Sequence, residues 1–276
     1  MTTNLTPVFT PSLMQKLFGR NYKWWYLINY EFKRSSGHFN TFIINTSIRA
    51  FEFLAIIYIW KINNGTAEII TYLALGRVFG RLITSWLDSL ISSLIAKGSL
   101  TRYLLYPSNP LTIITVGDFG FNFIRQVVNA LVTVVLAMII FKGEIIFSSN
   151  VFYLFPFLII ALTIKTYFSH ILGFLSFWSK DSANTSSLID AIRIGAGLLS
   201  GEVIPLFVLF YGFFNPIFWT PFSYFLHHPM QIYLGKYSPV ETLWVFVGGL
   251  VWCVVLYFLA KWVFKLGLRR NESVGL

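Results

Sequence analysis

The chain has 276 residues, of which 56% are hydrophobic and 12% charged, with a mean hydropathy of +0.67. Soluble domains carry about 25% charged residues, so a water-soluble fold of this length could not cover so much apolar surface, and lipid must take part of it. The net charge of +10 comes from Lys and Arg scattered between apolar runs, which argues against a nucleic-acid interface, and the lone cysteine, Cys253, excludes an internal disulfide framework and any Cys-based metal cluster.

Residues 1–12 contain no apolar run and no Lys or Arg, so no cleaved signal peptide is expected. Residues 12–34 form a distinct unit. Met14, Leu17, Phe18, Trp25 and Ile28 recur at helical spacing, Lys16, Arg20 and Lys23 fall on another face, and Tyr22, Trp24 and Tyr26 suit the headgroup region. This predicts an amphipathic helix lying in the inner membrane interface.

About 20 mainly apolar residues cross the hydrocarbon core as a helix, the only open structure whose backbone groups are satisfied within lipid. Runs at 39–60, 67–90, 112–141, 151–178, 187–211 and 241–264 predict six spans, an all-α bundle over 39–264 with a cytoplasmic tail at 265–276. No repeat or linker divides the chain, so one membrane domain is expected over 1–276. With the N-terminus inside, the inner segments hold Lys16, Arg20, Lys23, Lys33, Arg34, Lys97, Arg102, Lys180, Lys261, Lys265, Arg269 and Arg270, and the outer ones only Lys61, Lys142 and Lys236. That bias predicts both termini in the cytoplasm.

Charges inside spans cost about 2.5–3.5 kcal/mol each on insertion scales, so their placement is informative. On the first span Arg49 and Glu52 are three apart and are expected to neutralise each other. On the second, Arg77, Arg81, Thr84 and Asp88 recur at helical spacing as one polar stripe; Arg125, Lys165, Asp190, Arg193 and Glu202 complete the set. Two readings stand: a polar path or gate, with Arg77, Arg81, Asp88, Glu202 and Pro205 as its candidates, or ion pairs that hold the bundle together. Gly76 and Gly80 form a G-x-x-x-G that marks a packing face.

The inner loop at 92–110 is more apolar than a solvated loop should be. Leu94, Ile95, Leu100, Leu104 and Leu105, with Lys97 and Arg102 among them, invite a protein partner, and Pro107 and Pro110 precede the third span. In the fifth span Gly195, Gly197 and Gly201 thin the helix and Pro205 removes a backbone bond, so this span is either a hinge or a close-packing face. The segment 212–240 is rich in aromatics and broken by Pro216, Pro221, Pro229 and Pro239; a re-entrant pair of short helices in the outer leaflet is expected there. His227 and His228 are adjacent rather than three or four apart, which does not suit a metal site.

Enzyme signatures are missing. The sequence has no G-x-x-x-x-G-K-[ST] and no H-E-x-x-H, and G-L-L-S-G (197–201) has the wrong spacing for a nucleophile elbow. No catalytic residue, metal or cofactor is expected on this chain.

The stretches I-T-Y-L-A-L (70–75), R-L-I-T-S-W-L (81–87), A-K-G-S-L-T-R-Y-L-L-Y-P (96–107), L-L-S-G-E-V-I-P-L (198–206), H-P-M-Q-I-Y-L-G-K (228–236) and L-R-R-N-E-S-V-G (268–275) occur in an order that resembles the permease subunits of bacterial ABC-2-type exporters, in the branch described as uncharacterised ABC-type permease components. The resemblance implies six spans, an interfacial helix, a cytoplasmic coupling helix after the second span and re-entrant outer helices before the sixth. It further implies a bacterial plasma-membrane protein paired with a like or unlike second permease. Two separate ABC ATPase subunits would hold ATP and Mg, docked at about Ser93–Leu105. Glu202, Asn215 and His227 depart from the residue types this pattern leads one to expect. An ion-coupled secondary transporter would instead show matched broken helices in two halves, a lipid-modifying enzyme a cluster of His, Asp or Glu at one interface, and a vitamin-importer subunit paired Ala-Arg-Gly motifs; none of these patterns occurs.

Overall fold

The computed structural model describes residues 22–36, 39–63, 65–105, 109–141, 143–179 and 182–272. The parts of the expected interfacial helix before Tyr22, Pro107 and the last residues of the tail lie outside them. Within the described residues the chain is helical, without strands, and five helices are long and apolar enough to cross a membrane: Phe42–Ile62, Ala67–Ala96, Pro110–Ile140, Ser149–Phe177 and Pro239–Arg270. The chain is thus a multi-pass membrane protein.

The described part of the 12–34 segment belongs to α1 (Tyr22–Ser36), which packs along the first half of α6 (Pro110–Ile140). Gly120 permits the contact, since a Cβ there would stand 2.8 Å from the Ile28 Cα and 2.9 Å from its carbonyl oxygen. Asn109 starts α6 by accepting a hydrogen bond from the Leu111 N–H at 3.0 Å, with Pro110 at the first helical position, where its missing N–H costs nothing.

The first span is α2 (Phe39–Ile62). The second is not one continuous helix: α3 (Ala67–Leu82) stops, residues 83–86 leave the helical path, and α4 (Leu87–Ala96) resumes. Polar side chains hold the break. Thr84 Oγ1 donates to the Gly80 carbonyl at 2.8 Å, Gln126 from α6 donates to the Thr84 carbonyl, and Ser85 Oγ accepts from the Leu87 N–H at 3.2 Å. Backbone groups freed inside an apolar bundle are thereby satisfied.

A short α5 (Leu100–Leu104) follows, then α6, then α7 (Leu154–Phe174) and α8 (Ser182–Ser200). The expected span 187–211 is interrupted. After Ser200 the chain turns at Gly201, whose φ of +86° is a left-handed value that glycine adopts without a Cβ clash. It resumes only as α9 (Leu206–Leu209), with Pro205 immediately before it. The glycines and Pro205 therefore end a helix here, and 187–211 is not among the five long apolar helices.

The proline-broken segment runs inward. Two 3₁₀ turns, Pro216–Trp219 and Pro221–Phe225, lead into α10 (His227–Tyr233), all seven residues of which are buried. Tyr224, Phe225, Leu226 and Met230 join the large core with Phe53, Ile57, Tyr72, Phe157 and Ile164. The Trp252 indole N–H of α11 (Pro239–Glu272) donates to the Trp219 carbonyl at 2.8 Å. A second, smaller cluster joins Leu87, Ile91, Leu100, Ile114, Phe174 and Phe177. Within the second span, the break at 83–86 falls where residues of the first cluster, the last of them Ile83, give way to residues of the second, beginning at Leu87.

Candidate functional site

The break turns the polar residues of the second span into the wall of a chamber rather than a stripe on one helix. Arg77, Arg81, Thr84 and Ser85 from α3 and the break, Arg49 from α2, Lys165 from α7, and Arg193, Gly197, Ser200 and Glu202 from α8 and its end line a cavity of about 190 Å³. It adjoins a larger cavity of about 670 Å³ walled by α1, α2, α4 and α6, and the two share Arg49, Arg81, Thr84 and Trp86. A total of this size is in the usual range for ligand cavities, about 300–1,000 Å³. Arg77 lies ten residues along α3 from Ala67, about 15 Å at 1.5 Å per residue, roughly half the hydrocarbon thickness.

Three carboxylates beside the chamber are already engaged. Glu202 Oε1 lies 2.5 Å from an Arg77 guanidinium nitrogen. Asp88 is buried and takes two contacts from Arg193, at 2.9 and 3.3 Å, and Arg193 also reaches Asp190 at 2.7 Å. Asp118 of α6 accepts from Ser85 Oγ at 3.2 Å and from the Asn122 amide at 2.8 Å. The expected Arg49–Glu52 pair does not form. Glu52 is exposed, while the Arg49 guanidinium lies 5.8 Å from the Trp86 ring centroid, with Arg193 at 5.2 Å from the same ring. Lys165 stands 4.7 Å over the Phe225 ring. Arg81, only 8% exposed, has no carboxylate within ion-pair distance among the described residues.

Four of the five residues named as a path or gate therefore meet at one place, Arg77, Arg81 and Glu202 on the chamber wall and Asp88 behind it through Arg193. Pro205 stands at the end of the turn that carries Glu202, outside the lining. Asp118, Asn122 and Gln126 complete the site and were not singled out by sequence; an ionisable residue in the first third of the third apolar run was the available signal for Asp118. The Gly76–Gly80 pair does not face a helix. A Cβ at Gly76 would meet Leu226, whereas Gly80 opens into the chamber with nothing within 4 Å.

The inner loop separates into an anchor and an exposed edge. Leu100 is 2% exposed, packed with Leu87, Ile91, Ile114 and Phe174, and Leu94 and Ile95 are half-buried against the same cluster. Lys97, Arg102 and Leu104 are exposed, and Leu105 is 85% exposed. At the N-terminal side, Arg34 binds Glu31 at 3.0 Å and lies 5.1 Å over the Phe121 ring. Burial pushes the Glu31 carboxyl upward, with Arg34 partly offsetting it.

The histidines are structural. His228 hydrogen-bonds the Phe218 carbonyl at 2.6 Å and the Tyr237 hydroxyl at 3.0 Å, and His227 stacks on Phe218 at 4.4 Å. Both are buried, and burial pushes both imidazoles down, His228 to about 4. Among the described residues, no group of three or more His, Cys, Asp or Glu is placed to hold a metal.

No curated protein and no solved structure matches the chain. Residues 43–275, which include the chamber, the 92–110 loop and all but the first residues of the first span, match the family described as ABC-2 family transporter protein. The chain belongs to this ABC-2 family of transporter permeases.

Proposed function

We propose that this chain is the membrane subunit of an ATP-driven exporter, moving its substrate through the bundle while separate ATPase subunits hold ATP and Mg. The observation that carries the reading is the inner edge at Lys97–Leu105, an apolar, exposed turn rooted by Leu100 in the packed inner cluster, in a chain of the ABC-2 family. A turn anchored in this way moves with α4 and α7, so a push on it reaches the chamber wall through Asp88 and Arg193 rather than dissipating in a loop. ATP binding would draw two ATPases together beneath a pair of such permeases, and the outward state would release substrate because it holds it less tightly.

In this reading the chain crosses six times, with α8 and α9 as the fifth crossing. Both termini are cytoplasmic, α1 lies in the inner interface, and 212–240 is re-entrant from the outer side of a bacterial plasma membrane. The charge bias between segments and the burial of α10 support it. The partner permease is either a second copy or a paralogue.

Co-expression with an ABC ATPase tests the coupling. Leu104→Glu with Leu105→Glu should leave the protein folded and abolish co-purification of the ATPase. Undiminished capture by that variant would remove the inner turn as the contact.

A further inference from the structure

The chamber carries more positive charge than its carboxylates neutralise. Arg49, Arg77, Arg81, Lys165 and Arg193 line it, whereas Glu202 is its only lining carboxylate and Asp88 stands behind Arg193. Those two are committed to Arg77 and Arg193, which leaves Arg49, Arg81 and Lys165 without a carboxylate within ion-pair distance among the described residues. Arg49 and Lys165 lean on aromatic rings, and Arg81 is buried with Glu52 and Glu202 acting on it only from beyond ion-pair distance. Cations without a close counter-charge at this depth are costly and mark ligand paths. What settles three converging cations, two of them planar guanidinium forks, is an oxyanion such as phosphate, which they bind through charge-assisted hydrogen bonds.

The adjoining cavity describes the rest of the ligand. Leu27, Phe42, Ile113 and Phe121 supply apolar wall where α1 meets α2 and α6, Glu31, Arg34, Asp118 and Arg125 supply charged groups beside them, and Arg49 and Arg81 stand at its junction with the chamber. A molecule reaching Arg81 through that cavity meets both apolar and polar side chains. We propose that the two cavities form one site for a phosphate-bearing amphiphile, its phosphate held by Arg49, Arg81 and Lys165 and its apolar part in the larger cavity. This names a substrate class for the permease proposed above and rests on that reading.

The test is calorimetric titration of the purified full chain in a neutral detergent with three probes: dihexanoyl phosphatidic acid, dihexanoylglycerol and inorganic phosphate. The phosphatidic acid should bind saturably and at least tenfold more tightly than either of the others. Arg81→Gln with Lys165→Met should weaken it at least tenfold, and Arg81→Lys with Lys165→Arg should stay within about threefold of the wild type. Equal binding of the two amphiphiles, or undiminished binding by the charge-free variant, would overturn the assignment. Inorganic phosphate binding as tightly as the amphiphile would overturn its lipid half. The comparison of probes on the wild-type protein stands even where a variant fails to fold. ATPase capture on the same preparations separates the two claims: capture without phosphate-dependent binding sinks the chamber assignment, and binding without capture sinks the exporter reading.

Discussion

Glu202→Gln isolates the ion pair that closes the chamber. Its carboxylate lies 2.5 Å from Arg77, whose side chain is 10% exposed, while that of Glu202 is 44% exposed. Two unit charges 4 Å apart attract by about 4 kcal/mol at an effective dielectric of 20. Solvent at Glu202 screens much of this, so the pair falls between the 0–1 kcal/mol of surface pairs and the 3–5 kcal/mol cost of breaking buried ones, at about 2 kcal/mol. The loss is not symmetric. Glu202→Gln leaves Arg77 facing Arg49, Arg81 and Lys165 with no anion on the wall, whereas Arg77→Gln relieves that crowding. The expected order of stability is therefore wild type above Arg77→Gln, then the double variant, then Glu202→Gln. Cys253 is the only cysteine and is partly buried in α11, so a thiol-reactive dye reports unfolding from one known site. At about 2–4 °C per kcal/mol for a chain of this size, Glu202→Gln should lower the Tm by about 4–8 °C. A double-mutant cycle with coupling below about 0.5 kcal/mol, or Glu202→Gln as stable as the wild type, would refute the ion pair as a structural element.

Other expectations follow from packing and burial. Gly173→Ala should cost about 1–3 kcal/mol, because a Cβ there would stand 2.7 Å from the Ile91 Cβ and 2.9 Å from the Asp88 carbonyl oxygen, whereas Gly80→Ala, with open space around it, should be neutral or stabilise by up to about 1 kcal/mol; dye-monitored Tm values check both. Leu100→Ala should destabilise by about 2–5 kcal/mol while Leu105→Ala changes Tm little, since one is core and the other exposed. Folding holds His228 neutral by depressing it from 6.5 to about 4, so stability should be full above about pH 6.5 and fall as pH drops toward 4, and His228→Gln should flatten that slope in a pH series of melts.

The long apolar runs made five helices legible, because an apolar run of 20 or more residues has no alternative in lipid. The break in the second span was not, since Arg81, Thr84 and Asp88 at spacings of three and four fit an unbroken helix equally well. What holds the break is Gln126 and Asp118 on α6, about forty and thirty residues away, which no local spacing reveals. Gly201 and Pro205 carry their own backbone restrictions, and the sequence marked the weak point there, but it carried the span on to 211 where the helix stops at Ser200. The three-residue spacing of Arg49 and Glu52 predicted a local pair, but the Arg49 guanidinium instead faces the ring of Trp86, from the break in the second span. In the inner loop the apolar residues were all visible, but hydropathy does not distinguish an anchor such as Leu100 from a contact surface such as Leu105. The charge excess of the chamber is a property of which helices meet, and only the assembled bundle displays it.

The most direct test of the account places a single cysteine at Leu105 in a Cys253→Ala background and asks what it cross-links. With the ABC ATPase co-expressed in intact cells, Leu105→Cys should form a cross-link to that subunit and resist membrane-impermeant maleimide added from outside. Labelling from the external medium, or cross-linking no stronger than from a cysteine placed at exposed Phe152, would contradict it.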